Sequence, residues 1–484
     1  MVVLHSILAF FVIAGAIPLI AGCYQSLLAG LNGFLRMWSQ PPGAPEDTEP
    51  RVAVIVPAWN EGAVIGRTID TLCALDYDPD RLRVYVVDDA STDDTPGVVR
   101  DRAQRYPGRV FHLRRENGGE GKAHTINHGL RTIRAEDWYQ AVLVIDADVI
   151  FTKQSLRRMA RHFTLPDVGA VTAYIKEGSR PANWMNRFIS YEYVNAQAGA
   201  RRAQNVLGAL ACLAGGAQLI RRDALEAIGG VIDTSSLAED TFTTLNVQLS
   251  GRRAVFEPHA IVWAEEPKDI AGLWKQRLRW GRGNVQVTLR YRRIWLRRWK
   301  VGRLGGASFA LIWFSVFLMP AFMVTSSVAL IALYAIDRDF SIGVFQALWF
   351  INLATYLFVT LMAFSLDPPV ARSTWREGIC FPGLVSLAII AYAVYPDLAG
   401  RFAGDTVLLF SYVWLSLSML AAYLVKRLEA IRVVGRAAPA LLYVVGYGPL
   451  LCAITANAYL KELQGTEMVW EKTEKTGTVS SDLA

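Results

Sequence analysis

Charge is what this sequence has least of. Only 19% of its 484 residues are Asp, Glu, Lys or Arg, against 52% hydrophobic residues and 14 Trp, a balance too apolar for an ordinary soluble chain. That balance excludes a disordered chain, which is poor in hydrophobic residues and rich in net charge. Gly 38 and Pro 20 are too few for a collagen. Cysteine is equally sparse: Cys23, Cys73, Cys212, Cys380 and Cys452 are scattered, odd in number and partly inside apolar runs. They make no disulfide framework or metal cluster and fit a reducing compartment. His112, His124 and His128 have no ligand spacing with Cys or with one another, so no zinc site is expected.

The sequence is rich instead in long apolar runs. Residues 4 to 31 are nearly uncharged and exceed the ~20 residues that cross a bilayer. A cleaved signal peptide needs a basic start and a short core, and only His5 precedes this run, so residues 1–35 are expected to form a retained transmembrane helix. A linker rich in Pro and acid follows over 36–50. Further apolar stretches cover 306–336, 342–366, 379–396, 405–425 and 437–460. Basic residues near span ends stay cytoplasmic: Arg372 and Arg376 mark one inside loop, and Lys426, Arg427, Arg432 and Arg436 another. The pattern predicts a multi-pass protein of the cell membrane with residues 36–305 inside, four spans, and the chain inside again at Lys426. Gly446, Gly448 and Pro449 are poor for a continuous helix, so 437–460 is expected to be interfacial or re-entrant, within a C-terminal membrane region of 301–460 and before a cytoplasmic tail of 461–484.

Net charge is +7, and eleven Lys and Arg fall between Ala271 and Gly305 with no acid among them. The rest of the chain is slightly acidic, so the basic balance belongs to one segment.

Between Arg51 and Lys300 short β-branched runs alternate with helical stretches: Val52 to Val56, Val84 to Val87 and Ala141 to Ile145. This is the βαβ pattern of a parallel sheet, whose ligands bind beyond the carboxyl ends of strands. Those ends read Pro57-Ala58-Trp59-Asn60-Glu61, Asp88-Asp89-Ala90-Ser91 and Asp146-Ala147-Asp148. No G-x-G-x-x-G or Walker loop is present, which argues against a dinucleotide oxidoreductase or an NTPase. Ser91 and Thr92 before Asp93 and Asp94 read equally as a helix cap. Asp146 and Asp148 project to one side of an extended chain and repel unless a cation lies between them; carboxylates with phosphate oxygens suit Mg²⁺ or Mn²⁺. Glu239-Asp240 precedes a helical stretch, where acids also favour the helix N-terminus. Gln276, Arg279 and Trp280 share one helix face, either at a membrane surface or in a site. Arginine matched to a diphosphate, a carboxylate base and a metal pair together point to attack on a nucleotide-activated substrate.

In order, V-P-A-W-N-E (56–61), V-D-D-A-S (87–91), G-K-A-H-T-I-N (121–127), D-A-D (146–148), E-D (239–240) and Q-R-L-R-W (276–280) resemble the membrane-embedded, processive family 2 glycosyltransferases, which include cellulose, chitin and hyaluronan synthases. The stretch 272–280 and the tail 470–477 look most like the bacterial poly-β-1,6-N-acetylglucosamine synthases. The usual Ser-Gly-Pro of hyaluronan synthases is here Ala214-Gly215-Gly216-Ala217, and no cyclic-di-GMP-binding domain follows the last span.

The resemblance implies an α/β nucleotide-diphospho-sugar transferase (GT-A) domain over 51–300 fused to transmembrane helices. It implies that Pro57, Glu61, Asp88 and Asp89 hold the nucleotide, with Lys122 near uracil or diphosphate. Asp148, assisted by Asp146, would hold the metal, Mg²⁺ or Mn²⁺, on the diphosphate. Asp240 would be the general base, Arg279 a diphosphate clamp, and Gln276, Trp280 and Glu239 acceptor contacts. Trp470 and Thr473 match a gating tail near the nucleotide; the stretch 190–193 and Arg201-Arg202 match an amphipathic helix near the acceptor. Implied partners are a UDP-sugar, a growing polysaccharide, the lipid bilayer and accessory or export subunits, with no nucleic acid. The expected activity is inverting, metal-dependent polymerisation of a sugar, N-acetylglucosamine by preference. A single transfer to a lipid-linked acceptor, or a catalytically silent sugar-binding scaffold, are the alternatives.

Overall fold

The structure is a computed structural model, and it describes residues 2–38, 49–395, 404–431, 435–467 and 475–479. Eight strands form one sheet: β1 (Val52–Ala58), β2 (Leu82–Asp88), β3 (Val110–Arg114), β4 (Ala141–Val144), β5 (Ile150–Phe151), β6 (Val168–Glu177), β7 (Gln218–Arg221) and β8 (Arg253–Ala264). Their order is β3-β2-β1-β4-β7-β6-β8-β5. The three anticipated strands are β1, β2 and β4, and they pair in parallel, as β3 does with β2. The all-parallel expectation fails beyond β4. There β7 runs antiparallel to both β4 and β6, β8 is parallel to β6, and β5 is antiparallel to β8.

Every residue of β1 is buried because both faces of the sheet are covered, which removes the apolar-polar alternation of a half-exposed strand. Val52, Val54 and Val56 pack toward Ile65, Ile69 and Leu72 of one helix. Ala53 and Ile55 pack toward Ile126, Leu130 and Ile133 of another. The polar segments after β1, β2 and β4 therefore emerge at one edge of a rigid platform.

Among the described residues three helices are long and apolar enough to cross a membrane: Met319–Ile336, Arg338–Leu366 and Asp405–Glu429. Two bent pairs bring the number to as many as five if each pair is one span. The N-terminal run is one such pair rather than a single helix. Val2–Ala14 and Ile17–Trp38 meet at a 52° bend beside Gly15 and Pro18, where proline removes a helical hydrogen bond. The expected stretch 306–336 divides at Leu318 into Ala307–Phe317 and Met319–Ile336, with Pro320 in the first turn of the second helix. The stretch 379–396 yields only the 11-residue helix Leu384–Val394, short of ~20 residues for a crossing. Pro382 has no N–H, and Gly383 at φ +89° is not helical, so the helix cannot start earlier. In the last stretch Ala438–Val445 and Tyr447–Leu463 meet at 90°. The corner is Gly446 at φ +111°, where a Cβ would lie 2.5 Å from the Pro382 carbonyl oxygen; only glycine fits.

Contacts sort the loops by end. Lys176 Nζ lies 2.6 Å from Asp367, Arg187 Nε 2.7 Å from Glu377, and Glu429 accepts the N–H groups of Ile270 and Ala271 at 3.0 and 2.8 Å. The loops after 366 and 429 thus sit against the sheet domain. Arg338 pairs with Asp405 at 2.5 Å, and His5 lies 4.0 Å from Asp337, at the opposite end of the helices.

Candidate active site

The segments after β1 and β2 are tied to each other. Asn60, a non-glycine residue at φ +54°, donates its N–H to Ser91 Oγ at 2.9 Å and accepts the Thr92 N–H at 2.8 Å. Asp88 is fully buried and its carboxylate is satisfied by Arg114 at 2.6 Å, the Ser91 N–H at 2.9 Å and His112 at 3.3 Å. Asp89 is held by Arg115 and by the Gly119 N–H at 3.0 Å.

A cavity of about 480 Å³ lies beyond the next strand end. Pro57, Glu61, Lys122, Asp146, Asp148, Glu239, Asp240, Gln276, Arg279 and Trp280 line it together; Asp88 and Asp89 do not. Lys122 Nζ stands 2.6 Å from Asp146 and 3.3 Å from Glu239. Desolvation in the cavity pushes the Asp146 carboxyl up, but the Lys122 ammonium, with Lys475 and Arg279, outweighs it and holds it below its ordinary value. Asp240 goes the other way: burial and the neighbouring Glu239 charge push it up to about 6, where it is an effective proton acceptor near neutrality. Glu239 and Asp240 also open the helix Glu239–Leu249, so the same two acids stand at a helix N-terminus and on the cavity wall. Gly215 passes so near that a Cβ would stand 3.2 Å from Asp240 and 3.3 Å from Lys122.

On the helix Ile270–Arg290, Gln276 is spent inside the protein. Its amide donates to Glu266 at 2.9 Å and accepts from Arg277 at 2.6 Å. Arg277 pairs with Glu192 at 2.9 Å and stacks 4.1 Å from the Trp280 ring centre, Tyr193 donates to Glu266 at 2.6 Å, and Tyr447 to Glu192 at 2.7 Å. Gln276, Arg279 and Trp280 all line the cavity, the Gln276 amide held from behind by Glu266 and Arg277.

Trp470 and Thr473 lie outside the described residues. The following segment, 475–479, reaches the site; its first three residues belong to the tail stretch 470–477, but the sequence assigns none of them a role. Lys475 Nζ is 2.8 Å from Asp148. Glu265 accepts the N–H groups of Thr476, Gly477 and Thr478 at 2.8, 2.8 and 3.2 Å, and the Thr476 hydroxyl at 2.8 Å. Burial pushes the Glu265 carboxyl up, but these donors outweigh it and hold it low. The available signal was Glu265-Glu266 just after an apolar run, which becomes informative only once that run is known to be β8.

Among the described residues no three His, Cys, Asp or Glu form a ready metal cluster. Asp146 and Asp148, each already facing an ammonium group, form a cation-seeking pair that fits a hard divalent ion when phosphate oxygens complete its ligands.

Residues 50–283 match the family described as glycosyltransferase like family 2. This domain is thus similar to the family 2 glycosyltransferases. The chain is 28% identical over 391 residues to a beta-monoglucosyldiacylglycerol synthase of Synechocystis, covering 80% of this chain and 76% of that protein. It is 26% identical over 240 residues to a poly-beta-1,6-N-acetyl-D-glucosamine synthase of Staphylococcus epidermidis, 49% of this chain and 56% of the synthase. The chain spans little more than half the length of that synthase and of other curated relatives matched in the same region. Among solved structures, the mannosyltransferase PcManGT of Pyrobaculum calidifontis, in complex with GDP-Man and Mn²⁺, superposes with a TM-score of 0.51 at 23% identity, covering 80% of this chain and 99% of that one. The GT-A fold is shared.

Proposed function

We propose that this chain is an inverting β-glycosyltransferase of the cell membrane that moves N-acetylglucosamine from its UDP-linked donor onto an acceptor hydroxyl, building an exported polysaccharide. The observation that carries this reading is the single cavity in which Lys122, Arg279 and the Asp146/Asp148 pair stand on one side and Asp240 and Trp280 on another.

Pro57 and Glu61 flank the nucleotide, and Lys122 and Arg279 hold the diphosphate by charge-assisted hydrogen bonds. Asp146 and Asp148 would hold Mg²⁺ or Mn²⁺ together with diphosphate oxygens, a Lewis acid that eases departure of UDP. Asp240 takes the proton of the acceptor hydroxyl. The freed oxygen attacks the anomeric carbon from the face opposite UDP, the bond to the diphosphate oxygen breaks with its electron pair, and an α-linked donor becomes a β-linked product. Trp280 offers an apolar ring to the acceptor sugar. The sheet domain is cytoplasmic, facing the supply of UDP-sugar. The polymer reading draws on the relatives that make poly-N-acetylglucosamine. The relative that glycosylates diacylglycerol, matched along 80% of this chain, and an apolar cavity wall favour a second reading, single transfer to a lipid.

The test is incubation of purified protein in nanodiscs with a panel of radiolabelled UDP-sugars, followed by sizing and linkage analysis. A β-linked oligomer of N-acetylglucosamine supports polymerisation; a single-sugar lipid product selects the second reading; no UDP release from any donor refutes glycosyl transfer.

A further inference from the structure

One cation of the cavity is left without an anion when Lys122, Arg279 and Lys475 are assigned to the donor end. Arg201 lines the cavity on the helix Ala200–Leu207. Its guanidinium donates to Gln197 Oε1 at 2.8 Å and lies 5.9 Å from the Phe256 ring centre, and it forms no ion pair with a carboxylate among the described residues. Burial weighs against its charged form, and the Asp240 carboxylate only partly offsets this. A desolvated cation is costly unless an anion meets it.

Polar groups meet the Arg201 guanidinium, the Ala173 carbonyl at 3.5 Å besides Gln197, but one wall of the cavity it lines is hydrocarbon. The Arg201 helix packs against both Ile17–Trp38 and Ala307–Phe317, and the second supplies Phe309, Ile312, Trp313, Val316 and Phe317 to the cavity wall. Val316 is 60% exposed. The Trp313 indole N–H is already used, donated to Thr288 Oγ1 at 2.9 Å, so this wall offers apolar contact and no free donor from that ring to a sugar. A cation beside a hydrocarbon wall is complementary to an anionic amphiphile. The adjoining stretch is also suited to a membrane surface: Trp299 is 78% and Leu296 61% exposed among Arg292, Arg293, Arg297, Arg298 and Lys300.

We propose that the first acceptor is a lipid with a phosphate in its headgroup, the phosphate against Arg201, its hydroxyl at Asp240, and its hydrocarbon along the helix Ala307–Phe317. This rests on the glycosyl-transfer reading and holds whether one sugar or many are added. The lipid hydroxyl gives its proton to Asp240, its oxygen bonds to the anomeric carbon, and the bond to UDP breaks with the electron pair leaving on the diphosphate.

The test uses the full chain in phosphatidylcholine nanodiscs with UDP-[¹⁴C]N-acetylglucosamine and one of three acceptors. Phosphatidylglycerol carries a hydroxyl and a phosphate, diacylglycerol a hydroxyl alone, and a soluble chito-oligosaccharide neither lipid nor phosphate. The expected result is label in phosphatidylglycerol in clear preference to diacylglycerol. Arg201→Gln should raise the KM for phosphatidylglycerol about tenfold, the scale of one charge-assisted hydrogen bond, with partial recovery in Arg201→Lys. The KM for the donor should change less than the KM for phosphatidylglycerol. Equal labelling of diacylglycerol, oligosaccharide extension that needs no lipid, or an Arg201→Gln enzyme with unaltered lipid KM overturns the proposal. UDP release with label in neither lipid overturns it while leaving glycosyl transfer intact; no UDP release under any condition removes the reading on which it rests.

Discussion

Asp88-Asp89 and Asp146/Asp148 are equally conspicuous acidic strand ends, yet the protein treats them differently. The first pair is satisfied by Arg114, Arg115, His112 and backbone N–H groups and stands off the cavity. The second faces two lysines, Lys122 and Lys475, and lines it. A guanidinium fork fixes a carboxylate in place, whereas a lysine ammonium is a point charge on a flexible stem that can yield to a ligand. The partner, more than the acid, distinguishes the pair held away from the cavity from the pair that lines it.

The comparison can be broken first at Asp240. Asp240→Asn should lower kcat by about 10²–10⁴-fold while leaving UDP binding by calorimetry near wild type; normal turnover would end its role as base. Because only its carboxylate accepts a proton and its pKa lies at about 6, wild-type kcat should rise as pH increases through that value, and a flat profile would contradict the assignment. Next comes Asp148→Ala, expected to lower activity by on the order of a hundredfold, from the several kcal/mol a Lewis acid supplies. It should also abolish Mn²⁺ binding measured by electron paramagnetic resonance. Asp88→Ala should act on stability instead. Leaving the Ser91 N–H, His112 and part of Arg114 unsatisfied costs about 1–3 kcal/mol, seen as a lower thermal midpoint, with kcat less affected than in Asp148→Ala. If Asp88→Ala matched Asp148→Ala in kcat at unchanged stability, the division between the two pairs would fail. The smallest effect is expected from Trp280→Ala, a severalfold rise in acceptor KM corresponding to ~0.5–1.5 kcal/mol of ring contact.

Much of this was legible in local sequence. β1, β2 and β4 announce themselves as β-branched runs with polar ends, and Asp146, Asp148, Asp240, Arg279 and Trp280 fall on the cavity wall. The mixed half of the sheet was not legible. β6 and β8 pair across more than eighty residues, β5 has two residues, and no local period encodes such partners. Helical spacing places Gln276 with Arg279 and Trp280, but it cannot show the hydrogen bonds that Glu266 and Arg277 make with its amide. The breaks at Gly15 and Leu318 were hidden for a related reason: hydropathy records the apolar length of a run and is blind to its bends.

The hold of Glu265 on Thr476, Gly477 and Thr478 has a consequence in time. Residues 475–479 leave the ribosome after every strand of the sheet and every candidate span among the described residues has been made. A chain stopped at Gly465 would carry all of those elements and still lack the ammonium that faces Asp148 and the donors that satisfy Glu265. The Asp148 end of the cavity is thus electrostatically complete only once residues 475–479 have been made.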